Sequence, residues 1–268
     1  MSGPVGELIR RGVEALRRTG FWWGFGIVAF ALVNLAFWPS LEASGSLTEL
    51  EDSMGSLLEA FGAQGLATPA GYLDGQLYAL LLPLLLSGAA IGMTAAVTSG
   101  DEDAGRLELL HALPIARATL WLGRLAAAVA VLAAIAAVTL AAVVASLALF
   151  SLADAGYGAV IAATLACGAL AAFHAAVAYA IGGLGGSRGL ALGGAVAVLV
   201  LGYVLSSILP LADALSGAKE LSPWYWAIGT QPVSDGISLV RVVLLLVVTG
   251  ALVVLGTWGV GRRDIRTA

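Results

Sequence analysis

Charge is what this chain has least of, and lysine is the scarcest charge. Asp, Glu, Lys and Arg make up 11% of its 268 residues, against about 25% in an ordinary soluble domain, and Lys219 is the only lysine. A phosphate-cradling P-loop needs a lysine beside Gly and Ser/Thr. Lys219 stands in GAKE instead, so the chain carries no such ATP site. Cysteine occurs once, at Cys167, which excludes an internal disulfide and leaves the thiol to be read as a small apolar residue. The two histidines, His111 and His174, are far apart, and the H-E-x-x-H spacing of a zinc hydrolase is missing. Also missing are the alternating ten-residue segments of a membrane β-barrel.

In their place are long apolar runs. The chain is 60% hydrophobic with a mean hydropathy of +0.96, outside the soluble range. Six runs stand out, at about 21–38, 75–98, 124–150, 157–181, 189–211 and 240–260. Each is near the ~20 residues that carry a helix across a ~30 Å hydrocarbon core. Helices satisfy their own backbone groups in lipid, so the expectation is an all-α membrane protein with six transmembrane helices in one domain, 1–268. The first run also has features of a signal peptide, with basic residues before it and Ala43, Ser44 and Gly45 after it. Its length, Trp22, Trp23 and Trp38 as interfacial anchors, and the spans that follow favour a retained helix.

The basic residues give an orientation. Arg10, Arg11, Arg17, Arg18, Arg106, Arg117, Arg124, Arg188, Arg262, Arg263 and Arg266 fall on one side of the six-span scheme, leaving Lys219 and Arg241 for the other. Cytoplasmic loops hold the basic excess, so both termini are expected in the cytoplasm. Topology accounts for this basic face without nucleic acid. Ahead of span one, residues 4–19 read as an amphipathic interfacial helix, with Val5, Leu8, Ile9, Val13 and Leu16 on its apolar face. Its role is a membrane-surface anchor or an elbow that also touches a cytoplasmic partner.

Two outer loops follow from the same scheme, 39–74 and 212–239. The first carries a stripe of Leu47, Leu50, Met54, Leu57, Leu58 and Phe61, read as packing on the outer mouth. Its acids, with Asp74 counted among the outer ones, are spread along a solvated face rather than set at metal-ligand spacing. In the second, Trp224, Tyr225 and Trp226 after Pro223 form an interfacial aromatic group or a short re-entrant hairpin. No Asp, Glu, Lys or Arg falls in the middle of a span, so coupling to protons or sodium lacks its usual carrier. His174 reads as a hydrogen-bonded structural residue. Ser87 and His174 are a weak basis for an intramembrane hydrolase, since Ser-Gly pairs are ordinary helix packing.

The informative segment is DEDAGRLELLHALP, residues 101–114, which holds five of the thirty charges between spans two and three. Asp101, Glu102 and Asp103 near a helix start complement its dipole, and Pro114 ends it. The segment reads as a short cytoplasmic helix with a charged rim around leucines, its side chains facing water or a partner. The order Glu102-Asp103, Gly105, Glu108-Leu109-Leu110, Pro114 and Arg117, then Arg124, resembles the first cytoplasmic loop of ABC-2 type exporter permeases. TPAGYL at 68–73 and LSPWYWAIGTQPVSDG at 221–236 resemble the same family, so the likeness runs through the whole chain. Arg106 stands where many members carry Thr, and His111 interrupts a helix often rich in Leu or Ser.

The resemblance implies a permease subunit, not an enzyme, that pairs with a second permease (homodimer or heterodimer) and two ATP-binding cassette subunits. ATP and Mg would be bound by those partners, and no cofactor by this chain. It further implies that Asp101, Glu102, Asp103, Gly105, Arg106, Glu108, Leu109, Leu110, Pro114 and Arg117 form an ATPase-coupling helix. Small and apolar span residues favour lipophilic or amphipathic cargo, and the Gly/Ala/Arg-rich composition suggests a bacterial plasma membrane. A membrane channel or scaffold that is not ATP-driven is the alternative class, although no polar filter is evident.

Overall fold

The computed structural model describes residues 4–60, 65–103, 116–185 and 187–262, and these are helical with no strand among them. Helix α1 spans Pro4–Ala36 and is followed by α2 (Trp38–Ser44) and α3 (Ser46–Ala60). Helix α4 (Pro69–Leu73) runs through a π-helical turn, Asp74–Tyr78, into α5 (Leu81–Val97) and the short α6 (Ser99–Asp103). Then come α7 (Arg117–Leu149), α8 (Tyr157–Gly185) and α9 (Arg188–Tyr203), the last extended by a second π turn, Val204–Ile208. Helices α10 (Pro223–Ile228) and α11 (Leu239–Arg262) complete the chain. Six stretches are long and apolar enough to cross a membrane: Val5–Ser44, Pro69–Asp103, Arg117–Leu149, Tyr157–Gly185, Arg188–Leu211 and Leu239–Arg262.

Helix α8 is the hub, packed against α5, α7, α9, α10 and α11. Its sequence explains why. Ala and Gly dominate YGAVIAATLACGALAAFHAAVAYAIGGLG, and small residues let neighbouring backbones come close where lipid offers no hydrophobic drive to association. The tightest approach is to α11. A Cβ added at Gly183 would overlap the Gly256 carbonyl, and one at Gly256 would lie 2.7 Å from the Tyr179 ring. Along the outward side of α11, Val240, Val243, Val247 and Val254 are exposed, as residues facing lipid would be.

The amphipathic segment differs from its sequence reading. It is not a separate helix lying in the interface. It forms the first turns of α1, whose 33 residues make one rod of about 50 Å. Leu8 and Leu16 are buried, and Leu8 packs on Gly123 near the start of the equally long α7. An apolar stripe of helical period suits a membrane surface or a neighbouring helix equally well, and here α7 takes it.

Two other expectations are corrected. Trp38 is fully buried against Tyr72, with ring centroids 5.0 Å apart, and so is no interfacial anchor. In α3 only Leu47 of the described stripe is buried, whereas Leu50 and Met54 are exposed. Met54 has a non-helical backbone (φ −129°, ψ 16°), which kinks α3 there. The side chains of Leu57 and Leu58, and Phe61 as a whole, lie outside the described residues.

The α8–α11 contact can be tested directly. Gly256→Val is expected to cost about 1–3 kcal/mol by overpacking and to lower the melting temperature of the detergent-purified protein. Gly250→Val, on the same helix with open space around its Cα, is expected to melt like the parent.

Candidate functional site

Helix α5 stops at Thr98, whose backbone (φ −106°, ψ −95°) leaves the helical region while its hydroxyl donates to the Thr94 carbonyl. The chain turns into α6, and the acidic run follows at once. Asp101 forms a 2.7 Å ion pair with Arg124 on α7, both side chains about nine-tenths buried. Asp103 accepts a 2.8 Å hydrogen bond from the Arg188 backbone N–H at the start of α9. Its negative charge there complements the helix dipole, and Ser187 completes the cap by accepting from the Leu190 N–H. Ser99 occupies the space that a side chain at Gly182 of α8 would need. Four spans therefore meet at α6.

This arrangement corrects the reading of the acids as facing water or a partner. Asp101 and Glu102 are buried within the chain's own bundle, and Asp103 caps a helix of that bundle. Arg117 is exposed in the first turn of α7. The remaining residues proposed for coupling, Gly105, Arg106, Glu108, Leu109, Leu110 and Pro114, lie outside the described residues, as does His111. Acids 101–103 thus form the foot of that segment and tie it to α7 and α9.

The same end holds a second apolar cluster of Leu8, Leu120, Trp121, Leu125, Tyr179 and Val260. It joins the start of α1 to the start of α7, the end of α8 and the end of α11. The Tyr179 hydroxyl bonds Thr257 at 2.9 Å, and Trp121 stacks edge-on against the Tyr179 ring at 5.7 Å. Both ends of the described chain therefore sit at one end of the bundle, with Arg124, Arg188 and Arg262. We refer to this as the basic end.

At the opposite end two distant motifs meet. In TPAGYL, Thr68 caps α4 by accepting from the Gly71 N–H, and Pro69 takes a position where its missing N–H costs nothing. Asp74 follows, fully buried. Its two carboxylate oxygens accept from the backbone N–H groups of Val233 and Ser234, at 2.8 and 2.9 Å. Sequence reading placed Asp74 among solvated outer acids; in the structure it clamps the loop after α10. Only its position directly after TPAGYL hinted at a special role.

Helix α10 is packed into the bundle and is not a surface aromatic group. Trp224, Tyr225, Ala227 and Ile228 are buried, and α10 packs on α8, α9 and α11. Ser222 holds its start: the hydroxyl donates to the Gly202 carbonyl at 2.6 Å and accepts from the N–H groups of Trp224 and Tyr225. Gly229 ends it at φ 66°, ψ −142°, which only glycine adopts without strain. Tyr225 is flanked by both cations of this end, Arg241 at 4.3 Å and Lys219 at 5.3 Å from the ring centre.

The interior is sparingly polar. Tyr78 bonds the Thr164 hydroxyl at 2.7 Å, and His174 Nδ1 lies 2.9 Å from the Leu170 carbonyl one turn earlier. Neither Ser87 Oγ nor His174 Nε2 has a protein partner, so these two atoms are not bonded to each other as a hydrolase pair would be. Among the described residues, no group of His, Cys, Asp and Glu could hold a metal ion.

Two clasps can be probed. Asp74→Asn offers one acceptor where two N–H groups converge. It is expected to cost about 1–3 kcal/mol locally, seen as roughly tenfold or faster amide exchange at Val233 and Ser234. Asp235→Asn is expected to leave those amides protected. Arg124→Leu breaks the buried ion pair and is expected to destabilise the bundle by about 3 kcal/mol, with part recovered when Asp101→Asn is added.

The model of a family described as ABC-2 family transporter protein matches residues 8–264. No curated protein matches the chain. The family match takes in all six apolar stretches and both clasped ends, so this multi-pass helical chain belongs to the ABC-2 transporter family as a membrane permease.

Proposed function

We propose that the chain is the membrane-spanning permease of an ATP-driven exporter, working with a second permease and two ATP-binding cassette subunits that hold ATP and Mg. Family membership supports the partner class. The observation that carries the reading is that span two, α4 to α6, is clasped at both ends. At the basic end its last turn is tied to α7 by Asp101–Arg124 and to α9 by Asp103. At the opposite end Asp74 ties it to the loop behind α10.

On this reading the basic end faces the cytoplasm, as the excess of basic residues there suggests. The segment following Asp103 is the contact for the ATPases. A push on that segment moves α6 with the starts of α7 and α9, and span two carries the displacement to α10, which closes or opens the far side. Such motion exchanges access between the two faces by shifting a two-state population. Asp74 serves as an anchor in this scheme and not as an ion relay, because backbone N–H groups take both of its oxygens. Cargo is lipophilic or amphipathic, in keeping with apolar spans and a bacterial plasma membrane.

The coupling role is best tested outside the clasp. Charge reversal at Asp101 or Glu102 would damage the fold, since both are buried. Glu108→Lys is the cleaner probe. Co-expressed with its ATPase, the parent is expected to purify as a four-subunit complex, and Glu108→Lys to retain a folded permease that captures ATPase at least tenfold less well. Full capture and export by Glu108→Lys would remove this segment from the coupling role.

Orientation has its own test. Cys167 is fully buried, so single cysteines can be introduced over it. Glu51→Cys and Glu220→Cys are expected to react with an impermeant maleimide in intact cells, and Arg262→Cys only after permeabilisation.

A further inference from the structure

A groove of about 570 Å³ runs along the outer flank of the bundle between α1 and α7, away from both clasps. Gly20 and Gly24 on α1 and Ala130 and Ala134 on α7 lie along it, and its surface is almost wholly apolar. Phe21 and Phe25, stacked with centroids 6.4 Å apart and more than half exposed, wall one side. One charged residue lines it, Arg17, toward the basic end.

Arg17 and Arg18 differ from the two arginines before them, and of the pair Arg17 is the one that lines the groove. Glu7 pairs with Arg10 and Arg11, and Glu14 pairs with Arg10, so those two arginines are neutralised within α1. Arg17 is exposed and has no ion pair or side-chain hydrogen bond among the described residues. From Arg17 to Val28, the lining residue nearest the far end of α1, the helix rises about 16 Å. That is about the depth of one leaflet, half of a ~30 Å core.

We propose that this groove is a binding site for one anionic phospholipid, its phosphate on Arg17 and an acyl chain laid between the Phe21–Phe25 ridge and the exposed Ala130 and Ala134. The fit rests on three features together: an unneutralised cation at the interface level, an apolar channel one leaflet deep, and an aromatic ridge that confines the chain. Basic positions between membrane helices attract anionic head groups in this way. The site goes beyond the transport reading. It depends on the proposed orientation only for which leaflet supplies the lipid.

The test titrates the detergent-purified full chain with dioleoyl phosphatidylglycerol or dioleoyl phosphatidylcholine and follows retained lipid by native mass spectrometry. The parent is expected to keep one phosphatidylglycerol in preference to phosphatidylcholine. Arg17→Gln is expected to weaken that retention about fivefold, whereas Arg18→Gln, whose site lies off the groove, leaves it unchanged. Gly24→Leu fills the channel and is expected to abolish retention of the single lipid; Ala134→Leu does the same from α7 should the first variant not fold. The proposal is overturned if Arg17→Gln binds like the parent, or if Arg17→Gln and Arg18→Gln lose equally, which would mark diffuse surface attraction. It is also overturned if the filled groove still holds the lipid, or if filling it only dissociates a dimer, which would assign the groove to a second copy of the chain.

Discussion

Close backbone approach is the constraint on which the bundle depends. In lipid, apolar side chains gain little by leaving hydrocarbon for a helix interface, so packing density must hold the helices together. Helix α8 meets this demand with Ala and Gly along most of its length, which lets α5, α7, α9, α10 and α11 all reach it. The Gly183–Gly256 contact is the extreme case, with no room for a side chain on either partner. Larger residues are moved to the periphery, where α11 presents valines outward.

With the middle of the bundle nearly free of charge, electrostatic interactions are concentrated at its two ends. Carboxylates at each end fix a segment that close packing alone would leave loose. Asp101 and Asp103 secure the foot of the charged segment, and Asp74 secures the loop behind α10. The three carboxylates lie on the same span. The π turn Asp74–Tyr78 holds the loop after α10 through Asp74, and the π turn Val204–Ile208 follows Tyr203, whose ring meets Trp224 of α10; such turns are often found at functional sites.

Much of this could be read from residue order. The six spans, the all-helical class and the family resemblance follow from hydropathy and three short motifs, because those signals are local. A re-entrant hairpin was one of two readings left open by Pro223 and the aromatic triplet, and burial of α10 removes the surface alternative. The burial of Asp74 was illegible for a definite reason. Its partners are backbone N–H groups 159 and 160 positions away, which have no side-chain signature. Asp101 and Glu102 were misread as facing water or a partner because a carboxylate near a helix end looks the same in sequence whether water or, as for Asp101, a buried arginine of the same chain receives it.

Sequence alone determined that this chain lives in a membrane, how many times its helices can cross it, and where its charge is concentrated. These properties are sums over neighbouring residues, and the ~30 Å hydrocarbon core imposes them regardless of how helices pair. Only the tertiary structure decided that the amphipathic N-terminal segment continues into span one and packs on α7. Tertiary structure alone also joined the motif before span two to the motif before span six, and buried the acids at the foot of the charged segment. Those outcomes depend on which helix faces become neighbours, and an apolar stripe or a carboxylate does not name its partner.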